Sequence, residues 1–392
     1  MPRILRIINR FNLGGPTYNA AYLTRYLPER FETMLVGGLK DASEDSSQFI
    51  LENLGINPVI IPEMRRKINP IQDYIAYKKL KSIIADFKPD IVHTHASKPG
   101  ALGRLAAHQM GVPVIIHTFH GHVFHSYFND NTTRIYKSVE RHLAKKSTKI
   151  IAISDRQKEE LSTVHGICSP EKIEVVPLGF DLGRFHENLE EKRTVFRTEF
   201  NLNEDDIAIA IVGRLVPIKN HSMFLRAIKW VKQNTKVPVK AFIVGDGESR
   251  GLLEQLCSTL GLTYSNDSEA KVDVYFTSWI KNVDFVNAGA DIIALTSKNE
   301  GTPVSLIEAQ ASGKAIVSTK VGGIENVVIP NETALLCEPD DEATFGINLL
   351  KLIENPIIRR QFGEKGWSFV KDKFHYERLV GDVVKLYDRL LV

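Results

Sequence analysis

Short β-branched runs alternate with helix-length amphipathic segments along this chain, and midway the alternation starts again. Strand-like runs fall at 3–9, 32–37, 58–62, 90–95, 112–118, 149–154 and 172–178, with helical patterns such as 70–87, 98–110 and 130–147 between them. A second series follows at 206–212, 239–244, 272–277, 290–296, 314–319 and 333–337. Strands joined by helical crossovers run parallel, and the helices cover the sheet on both faces. The pattern predicts an α/β chain of two doubly wound, Rossmann-like domains. A (β/α)₈ barrel would need about eight strands in one unbroken array. Residues 1–182 are expected to form the first domain, the polar, charge-rich stretch 183–205 a linker region, and 206–373 the second domain. The amphipathic segment 374–392 follows as a final helix.

Composition narrows the class. Hydrophobic residues at 43% and charged residues at 25% suit a soluble globular chain rather than a disordered or fibrous one. Residues 1–182 carry 24 Lys and Arg against 18 Asp and Glu, while 183–392 carry 26 against 29. That mildly basic first half suits an anionic partner or membrane surface but falls short of a nucleic-acid-binding domain, so no nucleic acid is expected. Three scattered cysteines show neither a disulfide framework nor metal-ligand spacing. No apolar run approaches the ~20 residues of a membrane span. MPRILRIIN reads as a first strand without a signal-peptide pattern, which leads to a cytoplasmic expectation.

Ligands of open α/β sheets bind outside the carboxyl ends of the strands, so the loops there carry the functional residues. Asn12-Leu13-Gly14-Gly15-Pro16 follows the first strand, with a helix from about Thr17. Paired glycines let backbone approach a ligand, and exposed helix-start amides favour an anion. Gly213-Arg214-Leu215 with Lys219 follows the strand IAIAIV, where Arg and Lys would complement a diphosphate. Gly245-Asp246-Gly247 with Gly251 resembles a dinucleotide fingerprint only superficially. Its third glycine falls one residue late, and the next strand lacks the acidic end a ribose contact needs.

The segment Glu300-Gly301-Thr302-Pro303-Val304-Ser305-Leu306-Ile307-Glu308 is the most informative. Thr302 is expected to cap a helix with Pro303 in its first position and Gly313 closing it. The amides of 304–306 would then face outward with the helix dipole behind them. Glu308 sits on a helix that is apolar nearly all round, where an unpaired carboxylate is costly without a partner. Seven of the 12 histidines fall between 93 and 125. Lacking Cys and any H-E-x-x-H, that cluster does not read as a metal site. Most of its imidazoles are expected to serve the core, with one or two free to bind hydroxyls or move protons.

Taken together, GGPTYNAAYL, HTHASKPGALGRLAA, VIIHTFHGHVF, IIAISDRQKEEL, VPLGFDLGRF, IVGRLVPIKN, FIVGDGESR and the long run TSWIKNVDFVNAGADIIALTSKNEGTPVSLIEAQASGKAIVSTKVGGIENVV resemble a retaining GT-B glycosyltransferase of family four, over nearly the whole chain. Glu300 and Glu308, with seven residues between them, match that family's E-x7-E motif. HTHASKPG with HTFHG is similar to members that build capsules and exopolysaccharides. The resemblance implies two domains facing a central cleft, with the last helix crossing back to the first. It implies a nucleotide-sugar donor, with a UDP-sugar preferred, a glycan or lipid-linked acceptor, and no metal or other cofactor. Arg214 and Lys219 would meet the donor diphosphate, and Glu308 the ribose. Glu300 with Gly301, Thr302, Pro303, Val304 and Ser305 would lie against donor sugar and phosphate. Gly15 would approach phosphate or acceptor, and His120 would face the transferred sugar. Ser278, Trp279 and Ile280 would bracket the base, with Asp246 and Gly247 lining that pocket. The chain departs from the family at Pro177-Leu178-Gly179-Phe180-Asp181, where Leu178 replaces a usual asparagine, leaving that loop's hydrogen bonding open.

Such a site needs charge stabilisation more than a strong nucleophile, because the donor already carries a good leaving group. Attack from the leaving-group face with retained configuration is the expected route, and a covalent intermediate on Glu300 the alternative. A sugar-nucleotide epimerase would act without an acceptor. A silent binding partner in an assembly complex would be expected to lose Arg214, Lys219 or Glu300, and all three are present. The basic clusters Arg65-Arg66-Lys67 and Lys78, Lys79, Lys81 are candidates for peripheral membrane contact.

Overall fold

The structure is a computed structural model that describes residues 1–11, 15–39, 47–65, 67–120 and 130–391. Asn12 to Gly14, Arg66, His122 and His125 lie outside the described residues. The chain forms two compact units, Met1–Phe180 with Phe374–Val392, and Asp181–Lys373.

In the first unit seven parallel strands are described: β1 Arg3–Arg10, β2 Glu32–Gly38, β3 Val59–Ile60, β4 Ile91–His95, β5 Val114–Phe119, β6 Lys149–Ala152 and β7 Ile173–Val175. Their order is β3-β2-β1-β4-β5-β6-β7. Strand alternation sorts side chains to two covered faces. Leu5, Ile7, Val92 and Ile115 pack with Ala76, Leu80 and Ile84 of the helix Pro70–Phe87. That helix begins where Asn69 accepts hydrogen bonds from the amides of Ile71 and Gln72, with Pro70 in the first turn. Ile4, Ile91, Val114 and Ile116 on the other face meet Leu379, Val380, Val383, Leu386 and Tyr387 of the last helix, Tyr376–Leu390. Each fully buried Leu or Val there contributes roughly 1.5–3 kcal/mol, so the final helix is part of this core. At its start, Arg378 donates to the carbonyls of Pro177 and Leu178 at 2.8 and 2.7 Å. The Phe180 amide bonds the Phe374 carbonyl, and the Tyr376 amide the Phe180 carbonyl. Arg378 thus supplies hydrogen bonds in the loop where Leu178 replaces asparagine.

The second unit holds β8 Ile207–Val212, β9 Val239–Val244, β10 Tyr264–Ser265, β11 Val274–Ser278, β12 Ile292–Leu295, β13 Ala315–Thr319 and β14 Ala334–Cys337. Their order is β10-β11-β9-β8-β12-β13-β14. The two-residue edge strand β10 was not expected from the sequence. The stretch 183–205 belongs to this unit rather than forming a free linker. Its helix Leu189–Glu199 buries Phe196, which joins Phe200, Phe242 and Tyr275 in an aromatic cluster. Arg193 and Arg197 pair with Asp291. The polar composition of 183–205 masked these few large anchors.

Candidate active site

In both sheets the strand order reverses beside the first strand of the unit, between β1 and β4 and between β8 and β12. Crevices at such switch points are the usual ligand sites of open α/β sheets. In the second unit a charged pair bridges this point. Lys219 Nζ, after β8, donates to Glu300 Oε1, after β12, at 2.5 Å, and Ser297 Oγ donates to the same oxygen at 2.6 Å. The backbone fixes both ends. Thr296 Oγ1 donates to the Lys219 carbonyl at 3.0 Å, the Lys298 amide to the Ile218 carbonyl at 2.8 Å, and Thr319 Oγ1 to the Ser297 carbonyl at 2.7 Å. Arg214, in the same loop after β8 as Lys219, is exposed and has no hydrogen-bond or ion-pair partner among the described residues.

Glycines let these loops pack backbone to backbone. A Cβ on Gly322, whose φ is +53°, would stand 1.9 Å from the Glu300 carbonyl oxygen, and one on Gly323 would stand 1.8 Å from that of Gly301. The Gly323 amide donates to the Glu300 carbonyl at 3.0 Å. A Cβ on Gly245 would likewise stand 2.0 Å from the Gly213 oxygen. Asp246 is held by the Gly247 amide, by Ser278 Oγ and by Arg250, which also donates to Ser278 Oγ at 2.6 Å. Ser278 adopts φ +55°, uncommon for a residue with a side chain, and Trp279 next to it is half exposed with Ile280 partly buried.

The helix after Glu300 runs Val304–Ala311, one residue later than expected. Pro303 occupies the cap position with ψ 95°, and no side chain caps the helix, so Thr302 does not serve as its cap. Proline's fixed φ suits either position, and here the extended ψ delays the first turn. The Leu306 amide bonds the Pro303 carbonyl, which leaves the amides of Val304 and Ser305 as the outward pair. Gly313, at φ +66°, closes the helix as expected. Glu308 is half-buried and has no hydrogen-bond partner among the described residues. Burial pushes its carboxyl up to about 7, with Arg184 opposing and Asp284 reinforcing that rise.

In the first unit the helix Gly15–Arg25 starts two residues earlier than expected. Beyond its own helix, no atom of the described residues lies within 4 Å of where a Gly15 Cβ would stand. The histidine cluster splits by strand alternation. His117 points to one face, bonded to Thr94 Oγ1 at 2.9 Å and pressed beneath Gly100. His93 and His95 point to the other, stacked at 4.4 Å, and His95 Nδ1 meets His120 Nε2 at 2.9 Å. Burial holds the imidazoles of His93, His95 and His117 well below the usual range and brings that of His120 down to about 4, so all four are neutral at pH 7. Among the described residues no group of three or more His, Cys, Asp or Glu could hold a metal ion.

Sequence reasoning passed over several residues that build these sites. Ser297 and Thr296 gave no signal in a strand-end loop. Gly322-Gly323 was visible as a pair, and a double glycine after a strand signals close backbone approach. Arg250 is four residues after Asp246, the spacing of a helical ion pair.

Residues 13–184 match the family described as Glycosyltransferase Family 4, and residues 192–368 match Glycosyl transferases group 1. The chain belongs to these glycosyltransferases, and its two units are the two Rossmann-like domains of the GT-B fold. It is 30% identical over 370 residues to the UDP-Gal:alpha-D-GlcNAc-diphosphoundecaprenol alpha-1,3-galactosyltransferase of Escherichia coli, a match covering 93% of this chain and 90% of that one. Among solved structures, Anabaena Alr3699/HepE in complex with UDP superposes with TM-score 0.82 at 17% identity, over 99% of this chain and 100% of that one. A glycosyltransferase from Rickettsia africae ESF-5 superposes with TM-score 0.81 at 19% identity, over 100% and 98%. No described helix is long and apolar enough to cross a membrane.

Proposed function

We propose that this glycosyltransferase moves a hexosyl or N-acetylhexosaminyl group from a UDP-sugar, with retention of configuration and without a metal ion, to a lipid-linked glycan acceptor in capsule or exopolysaccharide assembly. The observation that carries the reading is the Lys219–Glu300 pair at the switch point of the second unit. Lys219, Arg214 and the amides of Val304 and Ser305 offer positive charge and donors to a departing diphosphate. Glu308 offers an unpartnered carboxylate to ribose hydroxyls. Gly301, Thr302 and Pro303 carry Glu300 toward the donor sugar, and Asp246, Gly247, Ser278, Trp279 and Ile280 form the base side. In the first unit, Gly15 and His120 serve the transferred sugar and acceptor. Similarity to the E. coli UDP-Gal:alpha-D-GlcNAc-diphosphoundecaprenol alpha-1,3-galactosyltransferase supports a UDP-sugar donor and a diphosphate-lipid acceptor. The departing phosphate takes the acceptor proton in this route. A glycosyl–protein adduct trapped in the wild type but absent in Glu300→Gln would replace it with double displacement.

Peripheral contact with an anionic membrane at the cytoplasmic face is part of the same proposal. The helix Pro70–Phe87 exposes Ile71 and Tyr74, with Lys78 over the Tyr74 ring and Lys81 over the Tyr77 ring. Lys79 is spent on Glu63 at 2.7 Å and does not belong to this surface. Loss of binding to anionic liposomes in Lys78→Glu/Lys81→Glu is expected, and unchanged binding ends the idea.

The deciding experiment is a thermal-shift panel with UDP, GDP, ADP and CMP, with and without EDTA. A ligand at about 100 times Kd adds roughly 2.7 kcal/mol to the folded state. An EDTA-insensitive shift with UDP alone is expected. No shift with UDP, or interconversion of UDP-sugars without an acceptor, overturns the reading.

A further inference from the structure

Beneath the last helix lies a buried polar chain that the transfer reaction does not by itself explain. Arg6 of β1 and His93 of β4 are register partners, as are His95 and Thr118 of β5. The last helix covers this face, and Tyr387 is fully buried against it. The Arg6 guanidinium is also fully buried, yet no carboxylate lies within ion-pair distance among the described residues. It donates to Thr24 Oγ1 at 3.0 Å and to the Tyr387 hydroxyl at 3.1 Å, and among the described residues its Nε has no partner. A buried cation without a counter-ion is costly, and such a cost is commonly retained at functional sites.

Donor and acceptor logic fixes the direction of this chain. Arginine only donates, so the Tyr387 oxygen accepts from Arg6 and its hydrogen goes to His93 Nδ1, 2.6 Å away. His93 then carries its own hydrogen on Nε2 and donates it to Thr118 Oγ1 at 2.7 Å. The His93 ring stacks on His95 at 4.4 Å between centroids, and His95 stacks on His120 at 5.2 Å while sharing one hydrogen with it. Among the described residues His95 Nε2 and His120 Nδ1 have no hydrogen-bond partner. In a neutral pair sharing one hydrogen bond, one of those outer nitrogens is a donor and the other an acceptor. The direction of that shared hydrogen decides whether His120 Nδ1 donates or accepts, and the orientation of the ring decides where that nitrogen points.

We propose that Tyr387 is a positioning residue: clamped by Arg6, its hydroxyl sets the His93 tautomer and, through the His93–His95 stack and the His95–His120 hydrogen bond, the orientation of the His120 imidazole. This rests on the assignment of His120 to the transferred sugar. The final helix, remote in sequence from every glycosyl-transfer motif, thereby reaches that residue through three rings.

The test uses the full chain labelled with ¹⁵N-histidine. In the wild type at pH 7, the ring nitrogens of His93 report a neutral Nε2–H tautomer. In Tyr387→Phe they move toward a tautomer mixture, and the His120 signals move with them. With whichever of UDP-galactose, UDP-glucose and UDP-N-acetylglucosamine supports turnover, kcat falls about tenfold while the donor KM stays unchanged, as expected when orientation rather than binding is lost. Arg6→Met provides a second variant, which removes the donor that clamps the Tyr387 hydroxyl while keeping side-chain bulk. It should displace the same His93 and His120 signals. Unchanged His120 signals in both variants overturn the proposal, as does wild-type kcat in Tyr387→Phe when His120→Ala is inactive. Full turnover in His120→Ala instead overturns the assignment on which the proposal rests, and the ring signals distinguish the two failures.

Discussion

The two domains share a strand order around the switch point yet store polarity in opposite ways. In the first, Arg6, His93, His95 and His117 are fully or almost fully buried, and the imidazoles are held neutral by burial. In the second, the charged groups sit in loops at the strand ends, with Lys219 and Glu300 paired and Arg214 exposed. The first domain fixes side chains by packing a helix over them. The second fixes them by pressing loop backbone onto glycine. The first domain is therefore sensitive to proton uptake and distant packing, and the second to a single added methyl group.

The largest effect that tests this contrast is acid lability. A histidine whose folded pKa lies below its unfolded value near 6.5 gives stability that is complete above that value and lost as pH falls toward the folded pKa. Four such imidazoles, His93, His95, His117 and His120, lie in the first domain, while the second holds His221, brought down to about 4. Each takes up a proton on unfolding, worth at most ~1.4 kcal/mol per pH unit. The four together give a slope approaching about 5 kcal/mol per pH unit below pH 6. Guanidinium unfolding at pH 7.5, 6.5 and 5.5 reads it, and a flat profile would break the contrast on the first-domain side.

Next in size is Gly323→Ala. The added Cβ would meet the Gly301 carbonyl oxygen at 1.8 Å, so the Glu300 loop must move. Misplacement of this order costs roughly 100-fold in turnover. Gly251→Ala is the matched control, because beyond its own helix no atom of the described residues lies within 4 Å of its Cβ position, and it sits on the helix Arg250–Leu260. That variant should keep full turnover and be slightly more stable. Equal losses in both variants would show that the double glycine has no special role.

How much of this was legible follows from the same contrast. Sites built by loops leave local marks: glycine pairs, an Arg–Lys loop after a strand, and Glu300 and Glu308 at fixed spacing. These were readable because each element is specified within about ten residues. Within the Arg6–Tyr387–His93 chain, Arg6 and Tyr387 are 381 residues apart in sequence. Tyr387 falls in an apolar stripe with Val383 and Leu386, so the pattern marked it as core and nothing marked its hydroxyl. The histidines were visible as a cluster, but only strand register shows that His117 faces away from His93 and His95. Thr302 misled for a local reason, since a threonine before proline fits a cap whether or not the helix starts there. The stretch 183–205 misled because a few aromatic anchors were diluted by charge.

Lys219→Ala is the third test. Removing the cation leaves the Glu300 carboxylate, among the described residues, with the Ser297 hydroxyl alone and takes one positive charge from the leaving-group side. Turnover should fall about tenfold or more, as for loss of one electrostatic stabiliser. Lys219→Arg should recover part of it, because charge is kept while the geometry changes. Near-normal kinetics in the alanine variant would remove Lys219 from the site.

The smallest effect, carried by Glu308, reverses the sign seen in the first domain. Burial raises its carboxyl to about 7, against an ordinary value near 4.3 in an unfolded chain. The folded state therefore holds the proton more tightly, and stability declines as pH rises from about 4.3 to 7. Above pH 7 the penalty is complete. Glu308→Gln removes it, so the variant should match the wild type at pH 5 and exceed it by about 1 kcal/mol at pH 8, a figure reduced for partial exposure. Function should move the other way. An ionised carboxylate is the stronger acceptor for ribose hydroxyls, so the variant should bind UDP about tenfold more weakly at pH 8, with a smaller loss at pH 6. Unfolding curves and UDP titrations at the three pH values measure both. A variant less stable than wild type at pH 8 would mean that Glu308 has a stabilising partner after all. A UDP affinity loss of the same size at pH 6 and pH 8 would mean that its charge is not what the nucleotide meets.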